Sequence, residues 1–251
     1  MRLQDKVIIV TGVAGYVGQI LAERLGQEGA RVVAADVADP SPAVDRVRLT
    51  GAQVLPVTVD VTDEVSTQEM ARETVERFGC IDGLVNNAGI FLGPGMDPRS
   101  LSDVDLTAWD KTFAVNVKGP FLCIRAVFPY MREQRSGKIV NIGSGTWLHT
   151  SRGRTSTPHY TSSKAAVTGL TRALAKELGS WGICINTLAP GSMPLAARDQ
   201  DPTSLPGAQD RALGRVGVPA DIGGTLVYLL SADSDFVTGQ MVVVNGGAET
   251  W

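Results

Sequence analysis

Lys6-Val7-Ile8-Ile9-Val10-Thr11-Gly12-Val13-Ala14-Gly15-Tyr16-Val17-Gly18 is a strand, a glycine-rich turn and the opening of a helix, in that order. Residues 6–10 form an apolar run rich in Val and Ile, the pattern of a strand buried on both faces. A helical pattern follows through Gln27, Gly29 and Ala30 break it, and residues 31–35 form a second apolar strand ending at Asp36. The unit is βαβ, with its glycines at the strand-to-helix turn. Gly12 lets the chain turn sharply, and the later glycines let backbone approach a pyrophosphate on the helix N-terminus. Gly12, Gly15, Tyr16 and Val17 are the candidate contacts of that turn. A carboxylate at Asp36 can accept both adenine-ribose hydroxyls and repels a 2′-phosphate. No Arg or Lys stands at Val13, Ala14 or Val37, where a phosphate clamp would sit, so the expected cofactor is NAD rather than NADP.

The same alternation continues along the chain. Strands are expected at 53–59, 81–85, 139–142, 183–188 and 240–244. Helices are expected at 62–78 with Thr62 as its cap, at 108–133 as one long amphipathic helix, at 160–178 and at 219–230. Residues 39–47, with two prolines, read as a loop or a weak helix start, and 192–214 as a polar, mobile segment. No repeat and no linker divides the chain. Strand and helix in regular alternation predict one doubly wound α/β domain over 1–251, built on a parallel sheet.

With 251 residues, 43% hydrophobic and 20% charged, the composition is that of an ordinary globular chain. A net charge of −3 without a long basic run argues against nucleic acid as a partner. No apolar stretch approaches the ~20 residues of a membrane span. Cys80, Cys123 and Cys184 are odd in number and widely spaced, which suits a reducing cytoplasm rather than a disulfide framework. The only histidines are His149 and His159, so no metal site is expected. No signal-peptide core follows Met1, and the expected location is cytoplasmic.

One further stretch carries chemistry: His159-Tyr160-Thr161-Ser162-Ser163-Lys164. Positions i and i+4 share a helix face, so a phenol and an ammonium stand side by side. A free Tyr titrates near pH ~10, and a neighbouring Lys⁺ favours the phenolate. The pair is a usable proton shuttle, although Tyr and Lys four apart are also common on helix surfaces. Ser144 lies at the end of a predicted strand, where ligands bind in open α/β sheets. Asn116 is a mediocre helix former within a predicted helix, which suggests a side-chain bond, a kink or a water site.

These pieces together resemble the short-chain dehydrogenase/reductase family over nearly the whole chain. The matching residues are the turn at 11–18, Asp60, Asn86-Asn87-Ala88-Gly89, Asn116, Ser144, Tyr160-x-x-x-Lys164 and Pro190-Gly191. The resemblance implies a Rossmann-like sheet of about seven strands with helices on both faces, a nicotinamide cofactor, and a homotetramer or homodimer. It implies that Tyr160 is the general acid/base and that Lys164 binds the nicotinamide ribose and lowers the Tyr160 pKa. Ser144 would hydrogen-bond the substrate oxygen, and Asn116 would hold a water in a relay to Lys164. Asp60 and Val61 would meet the adenine, Asn87, Ala88 and Gly89 the middle of the cofactor, and Pro190, Gly191 and Ser192 the carboxamide.

The chain departs from that pattern in three places. Its glycines fall at 12, 15 and 18, whereas the short enzymes of the family place the middle one where this chain has Tyr16. The observed spacing is more like that of longer, epimerase-type relatives, for whose substrate domain the chain is too short. Ser144 and Tyr160 are also further apart than is usual, and no threonine follows Pro190-Gly191 at the usual place.

The reaction expected is NAD-dependent interconversion of a secondary alcohol and a ketone, on a small-molecule substrate. The enlarged loop between Ser144 and Tyr160 holds Trp147, Arg152 and Arg154. Either arginine can make a bidentate bond to an anionic substrate such as a sugar acid or polyol-type hydroxy compound, or the loop is simply solvated or packed in a subunit contact. Trp147 and Phe91 alternatively floor a pocket for a hydrophobic aromatic or alicyclic alcohol. Two other readings are a catalytically silent nucleotide-binding regulator and an epimerase that uses NAD transiently. Replacing Arg152 or Arg154 with Met is expected to raise KM for an anionic substrate far more than for a neutral one in steady-state assays. An equal effect on both, or none, removes the anion-binding reading.

Overall fold

The apolar runs become seven strands: β1 (Val7–Thr11), β2 (Arg31–Asp36), β3 (Val54–Thr58), β4 (Gly83–Asn86), β5 (Gly137–Ile142), β6 (Ile183–Pro190) and β7 (Met241–Val244). Between them run α1 (Tyr16–Gln27), α2 (Ser41–Leu49), α3 (Glu64–Phe78), α4 (Leu106–Phe113), α5 (Gly119–Gln134), α6 (Pro158–Gly179) and α7 (Pro219–Leu230). This computed structural model describes residues 1–91, 104–148 and 157–248. The strands form one sheet in the order β3-β2-β1-β4-β5-β6-β7, all neighbours parallel. The expected doubly wound sheet is therefore what the chain builds. Its winding reverses at β1, and the crevice beyond the carboxyl ends of β1 and β4 is where such sheets bind ligands.

Alternation is present even inside strands that are apolar throughout. Ile8, Val10, Val32 and Ala34 point to one face and pack with Leu21, Leu25, Val47 and Leu226 of α1, α2 and α7. Val7, Ile9, Val33 and Ala35 point to the other and pack with Met70, Cys123, Val127 and Leu178 of α3, α5 and α6. Both faces of the sheet are thus covered, as a parallel sheet requires. Among the described residues no helix is long and apolar enough to cross a membrane.

Three local expectations are corrected. Residues 39–47 were expected as loop or weak helix start, but α2 is a full helix. Pro42 lies in its first turn, where a missing N–H forfeits no bond, and Ala43, Val44 and Val47 are buried. The cap of α3 is Asp63 rather than Thr62: Asp63 accepts from the Ser66 N–H at 3.0 Å, while the Thr62 hydroxyl donates to Asp60 at 2.7 Å. The helix expected at 108–133 is two helices, joined by a π-helical turn at Ala114–Lys118. Pro120 has no N–H to donate to the carbonyl of Asn116, four residues back, so the α ladder cannot close there. In the segment 192–214, expected to be mobile, the structure has turns and one 3₁₀ turn, Leu195–Arg198.

Gly12 marks the closest approach of the β1 turn to the chain beyond β4. Its φ is +73°, and a Cβ there would lie 2.6 Å from the Ala88 Cα and 2.7 Å from the Ala88 nitrogen. Left-handed backbone costs an L-residue about 1–2 kcal/mol, and overpacking costs about 1–3 more. Gly12→Ala is expected to lower unfolding free energy in urea by about 2–5 kcal/mol, and a loss below about 0.5 kcal/mol would contradict this packing.

Candidate active site

The turn after β1 supplies one wall. Gly12 meets Ala88, and a Cβ at Gly18 would overlap the Gly12 carbonyl oxygen, so both glycines are required by the protein's own packing. Gly15 differs, because a Cβ there would meet only the Gly12 oxygen, at 3.7 Å. The space above Gly15 is open. Tyr16 and Val17 begin α1, whose first turn carries no acidic residue and whose cap, Gly15, has no side chain. The first N–H groups of a helix have no intrahelical partners, and here they face the crevice. Glycine at 15 and an uncapped helix end fit the diphosphate of a nicotinamide dinucleotide.

Asp36 ends β2 beside this turn. One carboxylate oxygen accepts from the Ala14 N–H at 2.8 Å and the other from the Ala38 N–H at 2.9 Å. Asp60 accepts from the Thr62 N–H at 2.8 Å. The Val61 side chain is buried in the core against Gly119, which leaves mainly its backbone to meet a ligand. Asn87 binds the β1 turn, donating to the Thr11 and Gly12 carbonyls at 2.9 Å each. Gly191 donates to Val244 at 2.9 Å, and the Ser192 carbonyl accepts from Gly217 at 3.1 Å. Pro190 ends β6. All these residues lie along the carboxyl edge of the sheet.

The second wall is α6, which starts at Pro158 and carries Tyr160 and Lys164 on one face. Ser144, just past β5, hydrogen-bonds the Tyr160 side chain and accepts from the Thr146 N–H at 3.2 Å. Lys164, 6% exposed, points its ammonium at the Ile142 carbonyl, 2.7 Å away. Its Nζ lies 5.8 Å from the centroid of the Tyr160 ring. Burial pulls the Lys164 ammonium down to about 8. Burial also raises the Tyr160 phenol above its ordinary value, opposed by the bond to Ser144. The expected lowering of Tyr160 by Lys164 is therefore corrected: desolvation is the larger effect, and it disfavours the charged form of both groups.

Asn116 sits in the π turn, fully committed. Its Oδ1 accepts from the Ile90 N–H at 2.8 Å, and its Nδ2 donates to the Ile90 carbonyl at 3.0 Å and the Ser163 hydroxyl at 3.1 Å. It holds backbone here and reaches Tyr160 through Ser163, which donates to the Tyr160 carbonyl at 2.7 Å. A Cβ on Gly89 would lie 3.3 Å from the Asn116 oxygen and 3.5 Å from the Lys164 nitrogen, so Gly89 borders the space between them.

Phe91 stands against Tyr160, ring centroids 4.6 Å apart and planes tilted by 60°. Trp147 ends a 3₁₀ turn directly after Ser144, and its indole nitrogen is buried without a hydrogen-bond partner among the described residues, as are the Thr146 hydroxyl and both ring nitrogens of His159. Arg152 and Arg154 lie outside the described residues. Ser163 and the carbonyls of Ile90 and Ile142 belong to the site but were not foreseen. Ser163 lies inside the Tyr-x-x-x-Lys stretch and had a signal, whereas a backbone carbonyl has none.

A match to known proteins agrees with this geometry. Residues 12–249 match the family model described as Enoyl-(Acyl carrier protein) reductase. The chain is 41% identical over 255 residues, 98% of each chain, to (2S)-[(R)-hydroxy(phenyl)methyl]succinyl-CoA dehydrogenase subunit BbsD of Thauera aromatica. It is 35% identical over 257 residues, 98% of this chain and 99% of the other, to the 3-oxoacyl-[acyl-carrier-protein] reductase FabG of Thermotoga maritima. The crystal structure of gox2181 superposes with a TM-score of 0.90 at 33% identity, covering 100% of this chain and 98% of that one. The chain belongs to the short-chain dehydrogenase/reductase family. It is an oxidoreductase of the type that acts on alcohol or ketone substrates.

The Lys164 shift has a consequence for stability. Its folded pKa, about 8, is below the ordinary 10.5, so between these values the unfolded chain binds more protons and stability rises with pH. The raised phenol of Tyr160 acts oppositely above pH ~10, because the unfolded chain then loses its proton first. The buried Cys123 thiol, pushed up to about 12 from 9.0, acts oppositely to Lys164 above pH ~9, so urea midpoints measured from pH 7.5 to 9 are expected to climb for the native chain. In Lys164→Met that climb should be absent, and the variant should be more stable at pH 7. A Lys164→Met curve parallel to the native one would remove Lys164 as the cause.

Proposed function

We propose that this oxidoreductase uses NAD to interconvert a secondary alcohol and its ketone, with an aromatic or alicyclic group beside the carbinol carbon. The observation that carries the reading is the convergence of Ser144, Tyr160 and Lys164 at the strand ends with the Phe91 ring against Tyr160. Bound NAD would supply the hydride acceptor, held by the turn at Gly12–Val17, by Asn87, Ala88 and Gly89, and by Pro190, Gly191 and Ser192, with Asp60 and Val61 towards the adenine. The protein's own work is on the oxygen. As a phenolate Tyr160 takes the alcohol proton in oxidation, and as a phenol it returns one in reduction; Ser144 donates to the oxygen as charge develops there, and the Lys164 ammonium lies 5.8 Å from the centroid of the phenol ring. Phe91 offers an apolar surface beside that oxygen.

Two things support NAD over NADP: the Asp36 carboxylate beside the turn, whose charge opposes a 2′-phosphate, and the absence of a basic residue at Val13, Ala14 and Val37. The phenyl group named in the substrate of the Thauera relative supports an aromatic neighbour for the carbinol. The acid in the same name leaves room for the anionic reading, with Arg152 or Arg154 as its partner. A homodimer or homotetramer is proposed through α4, the π turn, α5 and α6, where Phe113, Val117, Phe121 and Leu170 line an apolar groove at the surface.

Tyr160→Phe is expected to lower turnover by about 10²–10⁴-fold while leaving NADH binding measurable by fluorescence. Phe91→Ala should raise KM for a 1-aryl alcohol more than for a short aliphatic one. Retained turnover in Tyr160→Phe would sink the proposed chemistry, and equal effects of Phe91→Ala on both alcohols would sink the aromatic pocket.

A further inference from the structure

Tyr16 occupies the turn where a glycine is expected, and it is not left alone there. The Arg198 guanidinium carbon lies 5.5 Å from the centroid of its ring. The two residues come from distant parts of the sheet. Tyr16 follows β1, whereas Arg198 ends the 3₁₀ turn that follows β6. In the sheet β4 and β5 separate those strands, so three strand spacings, roughly 14 Å, lie between them. The segment after β6 therefore arches back over the carboxyl edge and across the mouth of the β1–β4 crevice.

The arch is tied at its feet. Gly217 donates to the Ser192 carbonyl at 3.1 Å, Val216 to Pro202 at 3.1 Å and Leu213 to Gly246 at 3.1 Å. Arg215 grips Asp221 of α7 with both terminal nitrogens, at 2.7 Å each. Arg198 has no such commitment. Its acidic neighbour, Asp199, is 3.9 Å away at the limit of an ion pair, and its side chain is 57% exposed. A guanidinium lying on an aromatic ring keeps its edge N–H donors available. Residues 12–18 contain no cation of their own, and the open space above Gly15 lies directly beside Tyr16.

We propose that Arg198, seated on the Tyr16 ring, binds the diphosphate of the dinucleotide across the crevice, with Tyr16 as the residue that positions it. This rests on the reading of the crevice as a dinucleotide site. It accounts for an aromatic residue at 16, since the ring adds a platform for a cation that the turn lacks. Charge-assisted donation from a planar fork suits two adjacent phosphates better than a single point charge does.

The test is equilibrium binding to the full chain with three probes: NADH, ADP-ribose, which keeps the diphosphate, and adenosine, which lacks it. Arg198→Met is expected to raise Kd for NADH and ADP-ribose about tenfold and to leave adenosine unchanged. Arg198→Lys should recover part of the loss. Tyr16→Leu should weaken the same two probes less, and its effect should largely vanish in the Arg198→Met background. The native Kd for ADP-ribose should depend more steeply on salt than that of Arg198→Met. Unchanged ADP-ribose binding in Arg198→Met, or equal weakening of adenosine, overturns the proposal. If the native chain binds neither NADH nor NADPH, the dinucleotide reading itself has failed. Thermal midpoints of all variants within a few degrees of the native one separate lost binding from lost folding.

Discussion

Parallel strands fan apart as they leave a twisted sheet, and the last ladder pairing between β1 and β4 is Val10 with Val85. Beyond it, side chains hold the two ends together. Asn87 donates to the Thr11 and Gly12 carbonyls, while the Thr11 hydroxyl accepts from the N–H groups of Asn87 and Ala88 at 3.2 and 3.1 Å. The chain then passes Gly89 to Ile90, whose N–H and carbonyl are both taken by Asn116. Asn116 also holds Ser163, and Ser163 holds the Tyr160 carbonyl. A continuous series of bonds therefore registers the glycine turn against the helix that carries the phenol. Each bond contributes only about 1 kcal/mol net, but breaking one leaves a buried polar group unpaired and costs more. The π turn belongs to this series, because it presents the Asn116 amide to Ile90 and Ser163.

Electrostatics divide the crevice. At one end, Asp36 places a carboxylate beside the turn, steadied by two backbone N–H groups. At the other, Lys164 carries an ammonium into a dry interior with the Ile142 carbonyl as its acceptor. A cation buried on one carbonyl is held at a cost that its lowered pKa records. Such a site gains when negative charge arrives nearby. Charge developing on an oxygen near Tyr160 and Ser144 would lie within reach of that unneutralised ammonium. Burial disfavours charge on either group alone, but it also strengthens the attraction of that ammonium for a negative charge once one has formed.

The strands were legible because each is a short apolar run between breakers, and the parallel, doubly wound sheet followed from their regular alternation with helices. Gly12 and Ser144 were legible from their places at strand ends, and Tyr160 and Lys164 from helix spacing taken together with the family resemblance. What escaped depends on particular partners, near or far in sequence. Whether Thr62 or Asp63 caps α3 turns on Asp60 drawing the Thr62 hydroxyl away. The π turn needs Pro120 and also Ile90, 26 residues upstream of Asn116. Val61 has the sequence context of a ligand contact, yet the bare backbone of Gly119 admits its side chain to the core. Tyr160 was expected to be acidified by its neighbour, but depth of burial, which spacing does not encode, raises the phenol instead.

The glycine spacing shows how packing can separate two readings that a motif joins. Glycines at 12, 15 and 18 look like one pattern, yet only two of them are demanded by the protein. Gly12 needs its positive φ and its contact with Ala88, and Gly18 must clear the Gly12 carbonyl. These two sites are six residues apart, as they are in the short enzymes that the chain otherwise resembles. The middle glycine answers a different demand, because nothing in the fold crowds position 15. A bare residue there leaves open space over the turn. Tyr16 can stand where a glycine is expected because it is the first residue of α1, where its ring meets Arg198 rather than the turn's own backbone. The unusual spacing is thus compatible with the same strand-to-helix geometry, and on steric grounds it gives no reason to place the chain with the epimerase-type relatives.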